Sequence, residues 1–390
     1  MLKKGNHDFA VIGAGIVGSF LTYEIIKKFN KTKSIWWFDQ NLIPGRETSK
    51  INTHVIHGGF DPKVGSLNSW LSLTGRKIYE NEYFTELAIP KLKADTYVLA
   101  FNPEEDQLVK ELYQRGLQNG LSKKELFLLN SQETRKREPR LAKNVSSSLL
   151  CTSSYVTNAQ MITEIIWNKL RDNRLVDVKF GHKVIEAKRE GGKWKITTQN
   201  IKSGRTQVFF AKILINAAGH SASSLAQGLS RKDIDVDIYP RKGQYKIVES
   251  SDFGPLKAVF FRVPSRLGKG IAICPTLDRR ISLGPTAEPA DVKQPFLLNL
   301  ETIDSIDIAV KQIFPGLKIK ENVVAFVSSA RSIDRRTDDF VFRFDFSIGL
   351  INILGIKSPG ISSAPAIARF IVSKIENLNE KSKIGENFIS

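Results

Sequence analysis

The sequence predicts an α/β fold combined with an α+β part, in which a parallel-sheet domain is interleaved with a strand-rich domain. Three observations lead to this prediction. The chain opens on a strand, a glycine-rich turn, a helix and a second strand. Two further glycine-rich turns follow strands near residues 217 and 355, and segments with strand periodicity occupy much of the sequence between them. Because the parallel-sheet elements are far apart in the chain, we expect two intertwined domains rather than two in tandem.

The first predicted element is a βαβ unit. Residues 9–12 read as a buried strand, residues 13–18 form a GxGxxG turn, and a helix then leads to a strand at residues 34–38. Asp39 ends this strand, 21 residues after the third glycine. This arrangement is the fingerprint of a Rossmann-like unit, which holds a dinucleotide pyrophosphate at the N-terminus of its helix. The residues expected to bind the dinucleotide here are Ile12, Gly13, Gly15, Ile16, Val17, Gly18 and Asp39.

The later elements follow from apolar periodicity and from turn and cap signals. Asn102 with Pro103 opens one helix, and Asn158 caps another. In chain order, the pattern predicts a helix at residues 67–87, strands at 95–101, within 178–210, at 211–215 and within 236–285, a helix at 304–314, strands at 323–327 and 350–354, and a final helix from about 364. The expected domains are a dinucleotide-binding one at residues 1–85, 145–225 and 323–390, and a substrate-binding one at residues 86–144 and 226–322.

The second and third glycine-rich turns narrow the choice of cofactor. The strand at 211–215 ends in Asn-Ala-Ala-Gly, where the small residues Ala218 and Gly219 let the backbone approach a dinucleotide. Together with the C-terminal turn, this favours noncovalent FAD, which spans the whole domain, over NAD. Asp39 would accept from ribose hydroxyls and repel a 2′-phosphate, so NADP is disfavoured. We therefore expect an FAD-binding domain of the glutathione-reductase-like type.

Composition excludes some classes of protein and leaves one alternative open. The 390 residues carry 58 Lys and Arg against 40 Asp and Glu, a formal charge of +18 that favours acidic partners. Cys151 and Cys274 are far apart in the sequence, so we expect neither a disulfide framework nor a metal site. We expect the protein to work in a reducing compartment. A nucleic-acid-binding protein would also account for the charge, but the basic run at 135–140 has no interleaved aromatic residues. Flavin absorbance without salt-sensitive DNA binding would exclude that alternative.

The sequence predicts no transmembrane segment. The apolar stretch at residues 9–21 is similar to a signal peptide, but it contains the glycine turn. No stretch reaches the ~18 apolar residues that a membrane helix needs. We expect a cytoplasmic protein, and peripheral membrane contact stays open.

Motifs outside the first glycine turn carry a resemblance that covers nearly the entire chain. They are Glu47-Thr48-Ser49, Val55 to Pro62, Arg241 to Tyr245, Gly268-Lys269-Gly270, Gly284 to Ala287, Arg331 to Asp334, Lys357 to Ile361 and Ala364-Pro365-Ala366. On these residues the chain resembles the FAD-dependent D-amino-acid-oxidase-like superfamily, and within it the short mycoplasma-type glycerol-3-phosphate oxidases. The resemblance implies oxidation of sn-glycerol 3-phosphate to dihydroxyacetone phosphate by hydride transfer to flavin N5. Either O2, giving hydrogen peroxide, or a quinone could then accept the electrons.

The resemblance also implies roles for particular residues. Thr48 and Ser49 would hold the FAD pyrophosphate and ribityl region, and the backbone around Val184 would meet the adenine. Gly360, Ile361 and Ser362 would line the flavin pyrimidine edge, and His57 would be the base at the reactive face of the flavin. The substrate would be bound by Lys269, Arg331 and Ser358. The chain departs from the family in Ser329 and Ala330 before the substrate arginine, in Asp39 where Glu is commoner, and in the extra imidazole of His54.

The residue types suit this chemistry. Oxidising a secondary alcohol releases a hydroxyl proton, and a neutral imidazole can accept it near pH 7. His57 is the first candidate base and His54 the second. Arg331 can bind a phosphate bidentately, and Lys269 adds a compact charge. An L-2-hydroxyglutarate oxidase or dehydrogenase, another 2-hydroxy-acid oxidase and an amino-acid oxidase are the alternative functions, and turnover of the respective substrates separates them.

Overall fold

The computed structural model of the protein describes residues 6–29, 32–229, 236–263, 270–290 and 296–386.

The described residues form twenty strands. In chain order they are β1 (Asn6–Ile12), β2 (Ile35–Asp39), β3 (Val55–Ile56), β4 (Leu92–Lys93), β5 (Asp95–Ala100), β6 (Leu126–Asn130), β7 (Ser147–Cys151), β8 (Tyr155–Val156), β9 (Val176–Phe180), β10 (His182–Glu190), β11 (Lys193–Asn200), β12 (Thr206–Asn216), β13 (Ile238–Val248), β14 (Ala258–Arg262), β15 (Ala272–Pro275), β16 (Ile281–Gly284), β17 (Glu288–Pro289), β18 (Val323–Asp334), β19 (Val341–Asp345) and β20 (Leu350–Leu354).

Eleven α-helices lie in the same described part of the chain. They are α1 (Ile16–Phe29), α2 (Leu67–Ile78), α3 (Phe84–Glu86), α4 (Pro103–Gln118), α5 (Ser131–Arg137), α6 (Ala159–Leu170), α7 (Ala222–Leu229), α8 (Leu300–Ile303), α9 (Ser305–Ile313), α10 (Ile319–Asn322) and α11 (Gly360–Glu386). No helix among these has both the length and the apolar character needed to cross a membrane.

The first sheet has the strand order β9-β2-β1-β12-β20-β19, and its pairs are parallel except β20 with β19. The first half of β12 continues antiparallel onto β11, and β11 onto β10. Apolar residues of β1 point to both faces, as expected for a sheet that is buried on both sides. Phe9 and Val11 pack with α1 and α11, whereas Ala10 and Ile12 pack in the cluster of Trp194 and Phe209.

The second sheet is mostly antiparallel. Its order is β17-β13-β16-β15-β14-β5-β7-β6, and β18 pairs with the other edge of β13. Its core holds Phe260 and Ile273 from the sheet together with Ile306 and Val310 from α9. A small third sheet joins β3, β8 and β4. The predicted combination of a parallel-sheet α/β part with a strand-rich α+β part is confirmed by this topology.

Most predicted elements are present, and the helices differ mainly at their ends. The helix expected over 67–87 is interrupted, because α2 ends at Ile78 and a π-helical turn, Tyr79–Tyr83, precedes α3. The final helix begins at Gly360, before the expected position near 364. Asn102 and Asn158 cap α4 and α6 as predicted, each through a side-chain oxygen that accepts a backbone N–H.

The domain boundaries stay a prediction. The expected boundaries at 145 and 323 assign β7 and β18 to the dinucleotide-binding part, yet both strands pair within the second sheet. On strand pairing alone, we propose that these two strands belong with the substrate-binding part. The chain then crosses between the two parts after β7 and again after β18.

Candidate active site

A cavity of about 590 Å³ opens at the carboxyl ends of β1, β2 and β12, and we call it the sheet-edge cavity. Ligands of open parallel sheets bind at this position because the turns that follow the strands converge there. Nine of the residues predicted to bind the cofactor line it: Ile12, Gly13, Gly15, Asp39, Thr48, Ser49, Val184, Ala218 and Gly219. The cavity therefore brings together both halves of the predicted dinucleotide site, which come from separate parts of the chain.

The glycine turn after β1 has no room for side chains. Gly13 has φ +107°, and a Cβ there would lie 2.4 Å from the Ala217 carbonyl oxygen. A Cβ on Gly18 would lie 2.0 Å from the carbonyl oxygen of Gly13, so α1 packs directly on the turn. Ile16, Val17 and Gly18 do not line the sheet-edge cavity and are buried in the first turn of α1. Of the predicted set, these three fix the turn rather than face the cavity.

Asp39 fastens the turn to the end of β2. Its Oδ2 accepts from the Ala14 N–H at 2.7 Å, and its Oδ1 accepts from the Asn41 backbone N–H at 2.8 Å. Burial raises the pKa of Asp39 above its ordinary value, although these hydrogen bonds act in the opposite direction. The Asp39 Oδ1 also accepts from the Asn41 side-chain amide at 3.0 Å, so the lone pair left for a further acceptor role is on Oδ2. The expected contact with a ribose stays a prediction.

The loop that follows β2 connects three parts of the structure. The Ser49 Oγ accepts from the Ile16 N–H at 2.9 Å, which occupies one free donor at the N-terminus of α1. The adjacent hydroxyl of Thr48 donates to the Ala330 carbonyl oxygen at 2.7 Å, on β18. Further along, the His57 N–H donates to the Ser362 Oγ at 2.9 Å. The segment between β2 and α2, which includes β3, thus joins the glycine turn, the strand of Arg331 and the start of α11.

His57 lies with the N-terminal turn of α11 and is not among the residues that line the sheet-edge cavity. Ser362 is fully buried, and the Ile361 carbonyl oxygen accepts from the Tyr79 hydroxyl at 3.1 Å. A Cβ on Gly75 would lie 2.0 Å from the Ser362 carbonyl oxygen, so α2 packs tightly against this turn. The predicted residues 57 and 360–362 are therefore held together by neighbouring helices.

His54 has a structural environment. Its backbone is left-handed, with φ 55°, and its Nδ1 accepts from the Ala159 N–H at 3.2 Å, at the start of α6. Burial lowers the pKa of His54 to about 4. An imidazole that stays neutral and is already hydrogen-bonded at Nδ1 is a poor base near pH 7, where a pKa close to the working pH is best. These contacts favour His57 over His54 as the base.

Arg331, the predicted substrate arginine, is a half-buried residue of β18. Its Nε is fully buried and has no hydrogen-bond partner, and no carboxylate within the described ranges pairs with its guanidinium. A Cβ on Gly243 would lie 3.4 Å from Nη2, so the side chain lies over β13. Arg241 lies directly opposite on the same strand pair. Burial lowers the pKa of Arg331, and the charge of Arg241 acts in the same direction.

For Ser358 and Lys269, the other two predicted substrate residues, the structure gives less information about their contacts. Ser358 is half-buried and precedes Pro359 in the turn before α11. Lys269 lies outside the described residues.

Within the described ranges, no cluster of His, Cys, Asp and Glu could hold a metal ion.

Sequence reasoning missed several residues that line the sheet-edge cavity. Glu47 was part of a recognised motif but had no role, and its Oε2 lies 3.1 Å from His220 Nδ1. Burial acts to raise the pKa of Glu47, but contacts from His220, Gln40 and Asn41 outweigh it and hold that pKa below its ordinary value. The one local signal for further polar residues in the cavity was the pair Gln40 and Asn41, which directly follows Asp39. His220 could not be found, because its partner lies 173 positions away.

The residues present fit the adenosine and pyrophosphate half of FAD. The Gly13 turn would be blocked by a single Cβ, which is expected where a dinucleotide backbone must approach closely. The cavity combines apolar walls from Val184 and Leu225 with polar groups from Asp39 and Ser224. A volume of about 590 Å³ lies within the range of cofactor pockets.

This fold and this cavity define a dinucleotide-binding protein. Residues 8–374 match the model of a family described as DAO, FAD dependent oxidoreductase. The chain belongs to this family, which confirms the resemblance, the FAD cofactor and the enzyme class.

Individual relatives are similar over nearly the whole length. The chain is 31% identical over 390 residues to glycerol 3-phosphate oxidase of Mycoplasma genitalium, with 97% of each chain covered. It is 28% identical over 382 residues to glycerol 3-phosphate dehydrogenase of Caloramator mitchellensis, covering 98% of this chain and 76% of that one. Among solved structures, dithionite-reduced L-alpha-glycerophosphate oxidase of Mycoplasma pneumoniae with FAD bound superposes with a TM-score of 0.86, at 28% identity and 93% coverage of both chains.

Proposed function

We propose that this enzyme oxidises sn-glycerol 3-phosphate to dihydroxyacetone phosphate, with O2 as acceptor and hydrogen peroxide as product. The observation that carries the proposal is Arg331, a half-buried arginine whose Nε is buried without a hydrogen-bond partner and whose guanidinium pairs with no carboxylate in the described part of the chain. A partly desolvated cation is costly unless an anion compensates it, so the site favours a substrate with an anionic group. The relatives named for glycerol 3-phosphate support a phosphate as that group.

The proposal assigns the substrate phosphate to Arg331, with Ser358 and Lys269 as further contacts. A guanidinium presents paired N–H donors that match two phosphate oxygens, and its free Nε is available for one of them. A phosphate dianion also offsets the like charges of Arg331 and Arg241, which lie opposite each other on β18 and β13. A neutral alcohol such as glycerol would leave the Arg331 guanidinium without an anionic partner.

The proton is assigned to His57. Removing two hydrogens from a secondary alcohol takes one from oxygen and one from carbon, and the imidazole of His57 accepts the one from oxygen. Its backbone N–H is fixed by Ser362, so the residue is held at the turn that begins α11. His54 is excluded from this role in the proposal, because its Nδ1 is engaged by Ala159.

We propose that FAD is held noncovalently, with its adenosine and pyrophosphate half in the sheet-edge cavity and its flavin half toward His57 and residues 360–362. When bound, FAD supplies the two-electron acceptor that alcohol oxidation requires. The protein's part is to hold the substrate anion at Arg331, to accept the hydroxyl proton at His57 and to fix the turns that carry both.

A steady-state substrate panel tests the proposal. The FAD-loaded enzyme is supplied with a reducible dye and with sn-glycerol 3-phosphate, glycerol, L-2-hydroxyglutarate or an amino acid. We expect a clear preference for the phosphate ester over glycerol. Preference for hydroxyglutarate would move the function to the alternative of a hydroxy-acid oxidase, and turnover of amino acids to an amino-acid oxidase. The dye is then replaced with O2 and peroxide is measured, which identifies the electron acceptor. Turnover that returns only with a quinone would contradict the proposal that O2 is the acceptor.

A further inference from the structure

We propose that Thr48 is a positioning residue whose hydroxyl fixes the strand of Arg331 against the wall of the sheet-edge cavity. Thr48 thereby sets where the guanidinium meets the anionic group of the substrate. The inference rests on the proposed function, because that function assigns the anion to Arg331.

The hydrogen bond of Thr48 is the first step of the argument. The Oγ1 donates to the Ala330 carbonyl oxygen at 2.7 Å, across 282 positions of the sequence. A threonine hydroxyl has a single proton. While that proton is given to Ala330, the side chain cannot donate to a pyrophosphate oxygen, although its lone pairs can still accept. The side-chain geometry therefore differs from the cofactor contact that the family resemblance implies.

The position of Ala330 is the second step. Ala330 is fully buried and directly precedes Arg331. Among the described strands, β18 pairs only with β13, where Ala330 lies opposite Lys242 and Arg331 opposite Arg241. An edge strand leaves backbone groups unpaired on its outer side. Thr48 satisfies one of them, one residue before the guanidinium.

The neighbouring residue supplies the third step. Ser49 accepts from the Ile16 N–H at the start of α1, while Thr48 donates to β18. Two consecutive hydroxyls thus fasten one loop to the glycine turn on one side and to the strand of Arg331 on the other. Because both anchors are in the same dipeptide, the distance between the cofactor turn and Arg331 is fixed over a short length of chain.

The test compares Thr48→Val, which removes the hydroxyl, with Thr48→Ser, which keeps it. In the FAD-loaded Thr48→Val enzyme we expect the KM for sn-glycerol 3-phosphate to rise about three- to tenfold, the loss of one hydrogen bond, with kcat little changed. The inhibition constant of inorganic phosphate should rise by the same factor, and Thr48→Ser should restore both. Thr157→Val is the matched control, since the Thr157 hydroxyl donates to the Pro90 carbonyl oxygen at the same 2.7 Å but away from Arg331.

A double-mutant cycle separates positioning from a general effect on folding. If Thr48 acts through Arg331, Thr48→Val should add nothing to the KM of Arg331→Ala. An equal further loss in that background would overturn the inference, as would an unchanged KM in the single variant. Loss of FAD content with an unchanged KM would instead make Thr48 a cofactor ligand. If the parent enzyme neither prefers the phosphate ester nor is inhibited by phosphate, the proposed function itself is wrong, and this inference falls with it.

Discussion

Replacing Arg331 with methionine should make the protein more stable and less active at once. Methionine has a similar volume and no charge, so it can fill most of the same space over β13. The Nε of Arg331 is buried without a partner, and Arg241 lies opposite. Both features make the guanidinium unfavourable in the substrate-free enzyme, and both disappear in Arg331→Met.

The two effects have different sizes. Removing a half-buried charge that lacks an ion pair should raise the free energy of unfolding by about 1 kcal/mol. For a chain of this length that corresponds to an increase of about 1 °C in Tm. Each charge-assisted hydrogen bond to the substrate contributes about 1.5–3 kcal/mol, so kcat/KM for sn-glycerol 3-phosphate should fall roughly 10- to 150-fold.

Two measurements on the same FAD-loaded preparation check this prediction. Thermal unfolding without substrate gives the change in Tm, and initial rates over a range of sn-glycerol 3-phosphate give kcat/KM. Adding saturating phosphate should stabilise the parent enzyme and not the variant, since only the parent has the anion site. A variant with lower Tm and unchanged kcat/KM would refute the reasoning, because Arg331 would then be a structural residue.

Three further predictions concern the cofactor and the base. Gly13→Ala should lose bound FAD, because its Cβ would lie 2.4 Å from the Ala217 carbonyl oxygen, and flavin absorbance of the purified variant measures this; normal flavin content would contradict the assigned site. His57→Ala should keep FAD but slow flavin reduction by roughly 100-fold or more, whereas His54→Ala should mainly lower Tm through the lost hydrogen bond to the Ala159 N–H at the start of α6. The reverse pattern would make His54 the base. Acid precipitation should release all flavin into the supernatant, and flavin left in the pellet would show a covalent link.

The sequence predicted the parts of the site that depend on local spacing. The strand, the GxGxxG turn and Asp39 lie within about 30 residues, and steric limits on backbone geometry make such a unit recognisable without knowledge of the rest of the fold. Six of the nine predicted residues at the sheet-edge cavity follow from this unit and from the small residues after β12: Ile12, Gly13, Gly15, Asp39, Ala218 and Gly219. The other three, Thr48, Ser49 and Val184, came only through the family resemblance.

The remaining features depend on contacts between distant segments. The Thr48–Ala330 bond joins residues 282 positions apart, and nothing near either residue indicates it. The hydrogen bond from the Ala159 N–H to His54 Nδ1 likewise requires the fold, and it favours a structural role for His54 over a catalytic one. The pairing of β18 with β13 also could not be read from residues 323–334, because an apolar strand pattern does not specify its partner.

The most direct test of the account is anaerobic mixing of the FAD-loaded enzyme with a single substrate, followed by flavin absorbance. The account predicts complete bleaching by sn-glycerol 3-phosphate and little by glycerol at the same concentration. It also predicts that Arg331→Met removes most of this difference between the two substrates. Equal bleaching by glycerol and its phosphate ester in the parent enzyme would contradict the central claim that Arg331 selects a phosphorylated alcohol.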